Sequence, residues 1–121
     1  MPVINPTVNL IRYDAILTIA AKLKLDSLEI QQLFDISRRT QFRYEKENQI
    51  LKSATLDRLQ RLQRIYQQAV RLFGDEDIAI DWLTTAKQNL DHLTPLSLLT
   101  TDAGTKRVET ILYRAEYGIF G

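Results

Sequence analysis

The chain contains no cysteine. Disulfides, thiolate zinc sites, iron–sulfur clusters and a cysteine nucleophile are therefore excluded, and a cytoplasmic setting is the default expectation. Histidine occurs once, as His92. That rules out a two-histidine metal site and leaves His92 as a surface neighbour of a helix cap at Thr94. The four glycines stand apart at positions 74, 104, 118 and 121, so no phosphate-cradling loop is present. No apolar run approaches the roughly 18 residues that span a bilayer, and no membrane partner is expected. The opening MPVINPTVNLIRYD lacks a basic start followed by an apolar core, so no secretory signal is expected there. Asp75, Glu76 and Asp77 are adjacent carboxylates, yet the dipole of a helix start explains them without any acid–base role. No catalytic residue, metal or cofactor is indicated, and the chain is not expected to be an enzyme.

What remains is an ordinary globular composition. The 121 residues suit one domain or two very small ones, and 45% hydrophobic with 26% charged residues excludes wholesale disorder. The net charge of +1 conceals an asymmetry. Residues 1–70 carry eleven Lys and Arg against seven Asp and Glu; residues 71–121 carry five against eight. A basic half joined to an acidic half points to two surfaces with different partners, one of them polyanionic.

Helical spacing dominates, and the expected fold class is all-α. Residues 1–10 hold two of the three prolines and are expected to form an extended arm. Ile11, Ala15, Ile16, Ile19, Ala20 and Leu23 recur at three- and four-residue steps and mark one face of a first helix. Asp26 with Glu29 forms a capping box that opens a second helix over Ser27–Phe34. Asp35 interrupts it, and Ser37 caps a third helix beginning at Arg38. The spacing of Leu59, Leu62, Tyr66, Ala69 and Phe73 predicts a long helix over Ser53–Phe73, stopped by a left-handed Gly74. A further helix carries Ile78, Ala79, Trp82 and Leu83, with Trp82 read as scaffold. Thr94 and Pro95 open a short helix over 96–99. A last helix over about 102–117 is expected to bury Val108, Ile111, Leu112 and Ala115 and to end at Gly118. The expected organisation is an arm (1–10), a helix-turn-helix (11–52), a connecting helix (53–73) and a small helical domain (74–121).

The segment LEIQQLFDISRRTQFRY, residues 28–44, reads as helix, tight turn, helix. Leu28, Leu33, Phe34, Ile36 and Phe42 supply apolar points that hold two short helices at a steep angle. The second helix opens with Ser37, Arg38, Arg39, Thr40, Gln41 and Arg43, types that suit a helix end entering a major groove. Arg bonds guanine, Gln bonds adenine, and Ser or Thr at a helix N-terminus holds phosphate. As a cluster alone these residues are better described as a solvated basic face. The turn immediately before them favours a recognition helix, and operator DNA is the expected partner. Asp35 stands where glycine is common in such turns, and Gln31 where a small residue would pack closer.

The chain finishes YRAEYGIFG, residues 113–121. Terminal residues are usually polar, because an unpacked apolar tail gains nothing in water. Either these side chains fold back onto their own core or a partner receives them. A wider pattern surrounds them. LFGDED is followed by Ala79 and Trp82-Leu83-Thr84, then by Thr94-Pro95-Leu96 with Leu98-Leu99. Thr101-Asp102-Ala103-Gly104, Val108-Glu109 and Arg114-Ala115-Glu116-Tyr117-Gly118-Ile119-Phe120 complete it. In this combination residues 70–121 resemble the toxin-binding domain of the Xre/MbcA/ParS antitoxins, and ISRRT in the preceding helix-turn-helix extends the likeness over nearly the whole chain. One departure is visible: where such domains carry a Pro-Asn turn and a Gly-Gly pair, this chain reads TAKQNLDHL over 85–93.

The resemblance implies the antitoxin of a type II toxin–antitoxin module whose usual partner is a RES-domain toxin that consumes NAD. It implies that the C-terminal segment covers the toxin's active site. The helix-turn-helix half would form a homodimer within a larger hetero-oligomer and repress its own operon. Tyr117, Ile119 and Phe120 would then be anchors buried in the toxin, with Arg114 and Glu116 as polar contacts beside them. Gly118 would let the chain leave the helix and pass close to the partner's surface, and Gly121 would belong to the same toxin-binding segment. The rival expectations are a stand-alone helix-turn-helix regulator whose C-terminal half only oligomerises, and an adaptor whose two halves both bind proteins.

Overall fold

A computed structural model describes residues 10–118. Six α-helices account for most of them, with two short 3-10 turns and no strand beyond isolated backbone bridges. The chain divides into two compact units, Met1–Leu59 and Gln60–Gly121, so the fourth helix, α4 (Ser53–Phe73), contributes to both.

The first unit is built on α1 (Asp14–Leu23), α2 (Ser27–Phe34) and α3 (Arg38–Glu47). Its punctuation follows the sequence closely. Asp26 accepts from the Glu29 amide at 2.8 Å while the Glu29 carboxylate accepts from the Asp26 amide at 3.0 Å, a reciprocal capping box. Ser37 Oγ accepts from the Thr40 amide at 3.0 Å. Lys24, Asp35 and Asn48 end the three helices in left-handed conformations, at φ 56°, 50° and 45°. Asp35 performs the turn usually left to glycine, and its carboxylate lies 3.8 Å from Arg58. Asn48 also works through its side chain, accepting from the Asp14 amide at 3.0 Å and so tying the end of α3 to the start of α1.

Ile16, Ile19, Ala20 and Leu23 of the expected first-helix face are buried with Ile30, Leu33, Phe34, Tyr44, Leu51 and Leu59. Ile11 is a correction: it precedes α1 and is exposed, its carbonyl accepting from the Leu51 amide at 2.8 Å. The interior place near the helix start belongs to Tyr13, which stacks on Tyr44 with ring centroids 5.5 Å apart. A second correction concerns Leu28 and Phe42, expected between α2 and α3. They are 60% and 66% exposed. What joins the two helices beside Leu33 and Phe34 is polar instead. Gln41 Oε1 accepts from Gln31 Nε2 at 2.8 Å and from the Ser27 hydroxyl at 3.0 Å. The apparent misfit at Gln31 is half of that pairing.

The second unit comprises α4 from Gln60 onward, α5 (Glu76–Thr84), the 3-10 turns Gln88–Leu90 and Leu96–Thr100, and α6 (Asp102–Glu116). Leu62, Ile65, Tyr66 and Ala69 of α4 are buried, as are Ala79, Leu83, Leu90, Leu96, Leu99, Val108 and Leu112. Gly74 stops α4 at φ 69°, and Asp75 then caps α5, accepting from the Ile78 amide at 3.0 Å. Trp82 packs against Phe73 with centroids 5.9 Å apart, beneath Lys87. Thr94 Oγ1 accepts from the Ser97 amide at 3.0 Å, opening the turn that buried Pro95 begins. In the departing loop Asp91 and His92 both take left-handed φ, 57° and 64°, and the loop closes through a Lys87–Leu93 bridge. His92 is exposed.

One consequence is measurable at high pH. Burial, reinforced by Glu45, pushes the Tyr13 phenol up to about 12. Burial and the hydrogen bond to the Glu76 carboxylate push Tyr66 up to about 12 as well. Both folded values lie above the ordinary 10, so the native state holds these protons more tightly than the unfolded chain. The stability they contribute is complete below pH about 10 and is lost as pH rises toward about 12. Absorbance titration of the phenolates is expected to show two tyrosines ionising together with loss of helical circular dichroism. Ionisation of the Tyr13 and Tyr66 phenols near pH 10 with the helices intact would contradict this.

Candidate functional site

Two surfaces carry the sequence-predicted site residues, one in each unit. In the first, Ser37 and Thr40 form the N-terminal corner of α3. The Ser37 hydroxyl donates to Thr40 Oγ1 at 3.0 Å while its oxygen caps the helix, so the pair shapes the corner with bonds already made. Arg38, Arg39 and Arg43 are exposed along one side of α3. Gln41 is the correction here. It is only 4% exposed, and its carboxamide oxygen is committed to Gln31 and Ser27. Its position turns toward α2, because spacing along a helix puts residues 41 and 44 on the inner side when 38, 39, 42 and 43 face out. Gln41 therefore holds α3 to α2.

In the second unit, α6 has a buried side formed by Thr105, Val108 and Leu112. Its outer stripe runs through Ala103, Lys106, Arg107, Thr110, Tyr113, Arg114 and Tyr117, all exposed. Ala115, expected inside, is exposed as well, because the last turn of α6 runs past the buried layer; Ile111 is half-buried. Shallow grooves flank the stripe, one lined by Gln68, Glu109 and Tyr113 and the other by Asn89, Leu90 and Ile111.

The end of α6 carries two aromatic rings in contact. Tyr113 and Tyr117 are 53% and 63% exposed with centroids 4.6 Å apart. Residues four apart meet on a helix surface, so the spacing in YRAEY was the available signal for Tyr113. Glu116 is braced within the unit, accepting from Arg71 Nε at 2.9 Å. Gly118 follows at φ 67° and turns the chain out of the helix. Ile119, Phe120 and Gly121, named as contacts from the sequence, lie outside the described residues, as do residues 1–9 of the expected arm.

The base of α6 is held by Arg61 and Arg64, which sequence reasoning did not single out, and by residues it quoted only as letters of a pattern. Thr101 Oγ1 accepts from the Gly104 amide at 3.0 Å. The Arg61 guanidinium bonds both the Asp102 carboxylate and the Leu99 carbonyl, the latter at 2.8 Å. Arg64 reaches Glu109 at 2.7 Å farther along. Three arginines of α4, at 61, 64 and 71, thus run beside three acids of α6, at 102, 109 and 116. The last of these pairs sits at the turn that presents the tyrosines.

Residues 10–64 match the antitoxin Xre-like helix-turn-helix domain. Residues 68–118 match the antitoxin Xre/MbcA/ParS C-terminal toxin-binding domain. The antitoxin Xre of Yersinia enterocolitica is 40% identical over 65 residues, which are 53% of this chain and 44% of that protein. The antitoxin Xre of Pseudomonas putida is 39% identical over 62 residues, 51% of this chain and 39% of its own length. The matched stretch thus spans less than half the length of these curated relatives. The crystal structure of the M. tuberculosis MbcT–MbcA toxin–antitoxin complex contains a chain with the same fold. The TM-score is 0.60 at 20% identity, covering 89% of this chain and 96% of that one. Among the described residues no helix is long and apolar enough to cross a membrane.

Proposed function

Because this chain belongs to the Xre/MbcA/ParS antitoxins, we propose that it neutralises a RES-domain, NAD-consuming toxin and represses its own operon. The observation that carries the toxin half is the exposed Tyr113–Tyr117 pair at the end of α6, inside the stretch matched to a toxin-binding domain. Exposed aromatics of this kind become binding anchors when a partner's pocket desolvates them. The Arg71–Glu116 bond holds the last turn of α6 in place, so less ordering is left to be done on binding. Past Gly118 the chain continues into Ile119, Phe120 and Gly121, and this segment enters the toxin's active site and blocks access by NAD. The antitoxin itself works by occlusion, without a reaction of its own, in the cytoplasm where the toxin acts.

The DNA half rests on the exposed arginines at the start of α3. Two copies, paired through their helix-turn-helix units, present the α3 helices to successive major grooves about 34 Å apart. Arg38, Arg39 and Arg43 supply phosphate or guanine contacts at each half-site.

The two halves separate experimentally. The Arg38→Ala, Arg39→Ala, Arg43→Ala triple variant is expected to lose binding to its own promoter region in a gel-shift assay. With about three phosphate contacts gone per copy, affinity falls by on the order of 100-fold or more at moderate salt. The same variant still copurifies with the coexpressed toxin. Unchanged promoter binding removes the arginines from the interface. A chain that binds its promoter but captures no RES-domain protein is a stand-alone regulator.

A further inference from the structure

Phe42 sits in the middle of α3 and 66% of it faces solvent. Counting along the helix, Arg38, Arg39, Phe42, Arg43 and Lys46 fall at steps of one, three, one and three, so all five share one face, and all five are exposed. Among the described residues none of the four cations is paired with a carboxylate. The face is therefore a positively charged strip with a single large apolar group at its centre.

That composition narrows the occupant. A second copy meeting this face through its own strip would bring four cations against four, a like-charge juxtaposition that opposes association. Among the described residues no intramolecular packing accounts for the ring, which stays exposed while the Gln31–Gln41 pair joins α2 and α3 on the opposite side. A polyanion satisfies the cations, and the ring then requires an apolar feature set between phosphates. In double-stranded DNA the major groove offers one such feature at the base edges, the thymine C5-methyl group.

We propose that Phe42 reads a thymine methyl in the major groove and is a sequence-specificity determinant of this chain. The proposal rests on the operator-binding reading and adds a named base to it. The arginines hold the helix in the groove, and Phe42 favours sites that place a thymine beneath the centre of α3. Burying one methyl contributes about 0.8 kcal/mol, equivalent to a roughly fourfold change in affinity per thymine contacted.

The test uses the full chain and duplex DNA from upstream of its own reading frame, prepared with thymidine or with deoxyuridine throughout. The wild type is expected to bind the uracil duplex about fourfold or more weakly at the same salt. Phe42→Ala is expected to bind the thymine duplex more weakly and to treat both duplexes alike. Phe42→Leu, which keeps an apolar side chain, restores part of the preference. Because Phe42 is exposed, these variants fold as the wild type does, which circular dichroism verifies. Equal wild-type affinity for both duplexes overturns the assignment while leaving operator binding intact. So does a thymine preference that survives in Phe42→Ala. Failure of the wild type to bind either duplex at low salt overturns the operator reading itself.

Discussion

Replacing Gly104 with alanine is expected to destabilise the C-terminal unit severely, although alanine is the better helix former by about 1 kcal/mol. Gly104 lies in the first turn of α6, where the helix start crosses the preceding 3-10 turn. A Cβ there would stand 2.0 Å from the Leu98 carbonyl oxygen and 2.9 Å from its carbon. Those are backbone atoms, so no side-chain rotation relieves the clash. Either the turn or the helix must move, and both are tied. The Thr101 cap takes the Gly104 amide, and Arg61 holds Leu99 and Asp102 on either side. Overpacking of this kind costs about 3 kcal/mol or more, and a lost cap adds about 1. For a unit of this size the midpoint of thermal unfolding falls by roughly 15 °C or more. Thermal circular dichroism checks this, and an unchanged or raised midpoint would show that Gly104 is not held against Leu98. Toxin capture by the variant is expected to fail at temperatures where the unit is unfolded.

Deleting residues 117–121 is expected to do the opposite: fold kept, function lost. Among the described residues the buried core of the second unit ends at Leu112, and the Arg71–Glu116 pair remains in the shortened chain. Among the described residues the deletion removes the closing backbone bonds from Tyr117 and Gly118 and the exposed ring contact between Tyr117 and Tyr113. Helical content and thermal midpoint therefore change little. Toxin affinity changes greatly, since aromatic anchors are worth about 2 kcal/mol each and two of them amount to roughly a thousandfold. Tyr117→Ala alone is expected to cost about 30-fold by the same arithmetic. Calorimetric titration of purified toxin measures both.

These two results draw on different kinds of information. Caps and stops were legible in the sequence because they are local chemistry. Asp26 with Glu29, Ser37 and Thr94 bond an amide three residues ahead, and Gly74 has no Cβ to resist a positive φ; Asp75, expected inside the first turn of its helix, is instead the residue that caps it. Apolar periodicity likewise placed Leu59, Leu62, Tyr66 and Ala69 on a buried face. It failed where the covering element was the unknown. Phe42 looked like core because it is apolar, yet among the described residues nothing in the first unit covers that side of α3. Ala115 continued a buried stripe past the point where the unit's interior ends. Gln41 looked like a reader of bases because its amide suits adenine, but its partner, Gln31, lies ten residues back on another helix. The Arg61 clamp spans 41 residues to Asp102 and left no local trace. Gly104 was quoted as one letter of a motif, and only the crossing of two backbones gives the reason for it.

The claim on which the rest depends is that the segment beyond the end of α6 closes a toxin's active site. It is tested most directly by following NAD consumption by the purified RES-domain toxin as antitoxin is added. The intact chain is expected to stop the reaction at near-stoichiometric concentration, and the chain lacking residues 117–121, equally folded, is expected to leave it running. Full inhibition by the truncated chain, or none by the intact one, would contradict the account.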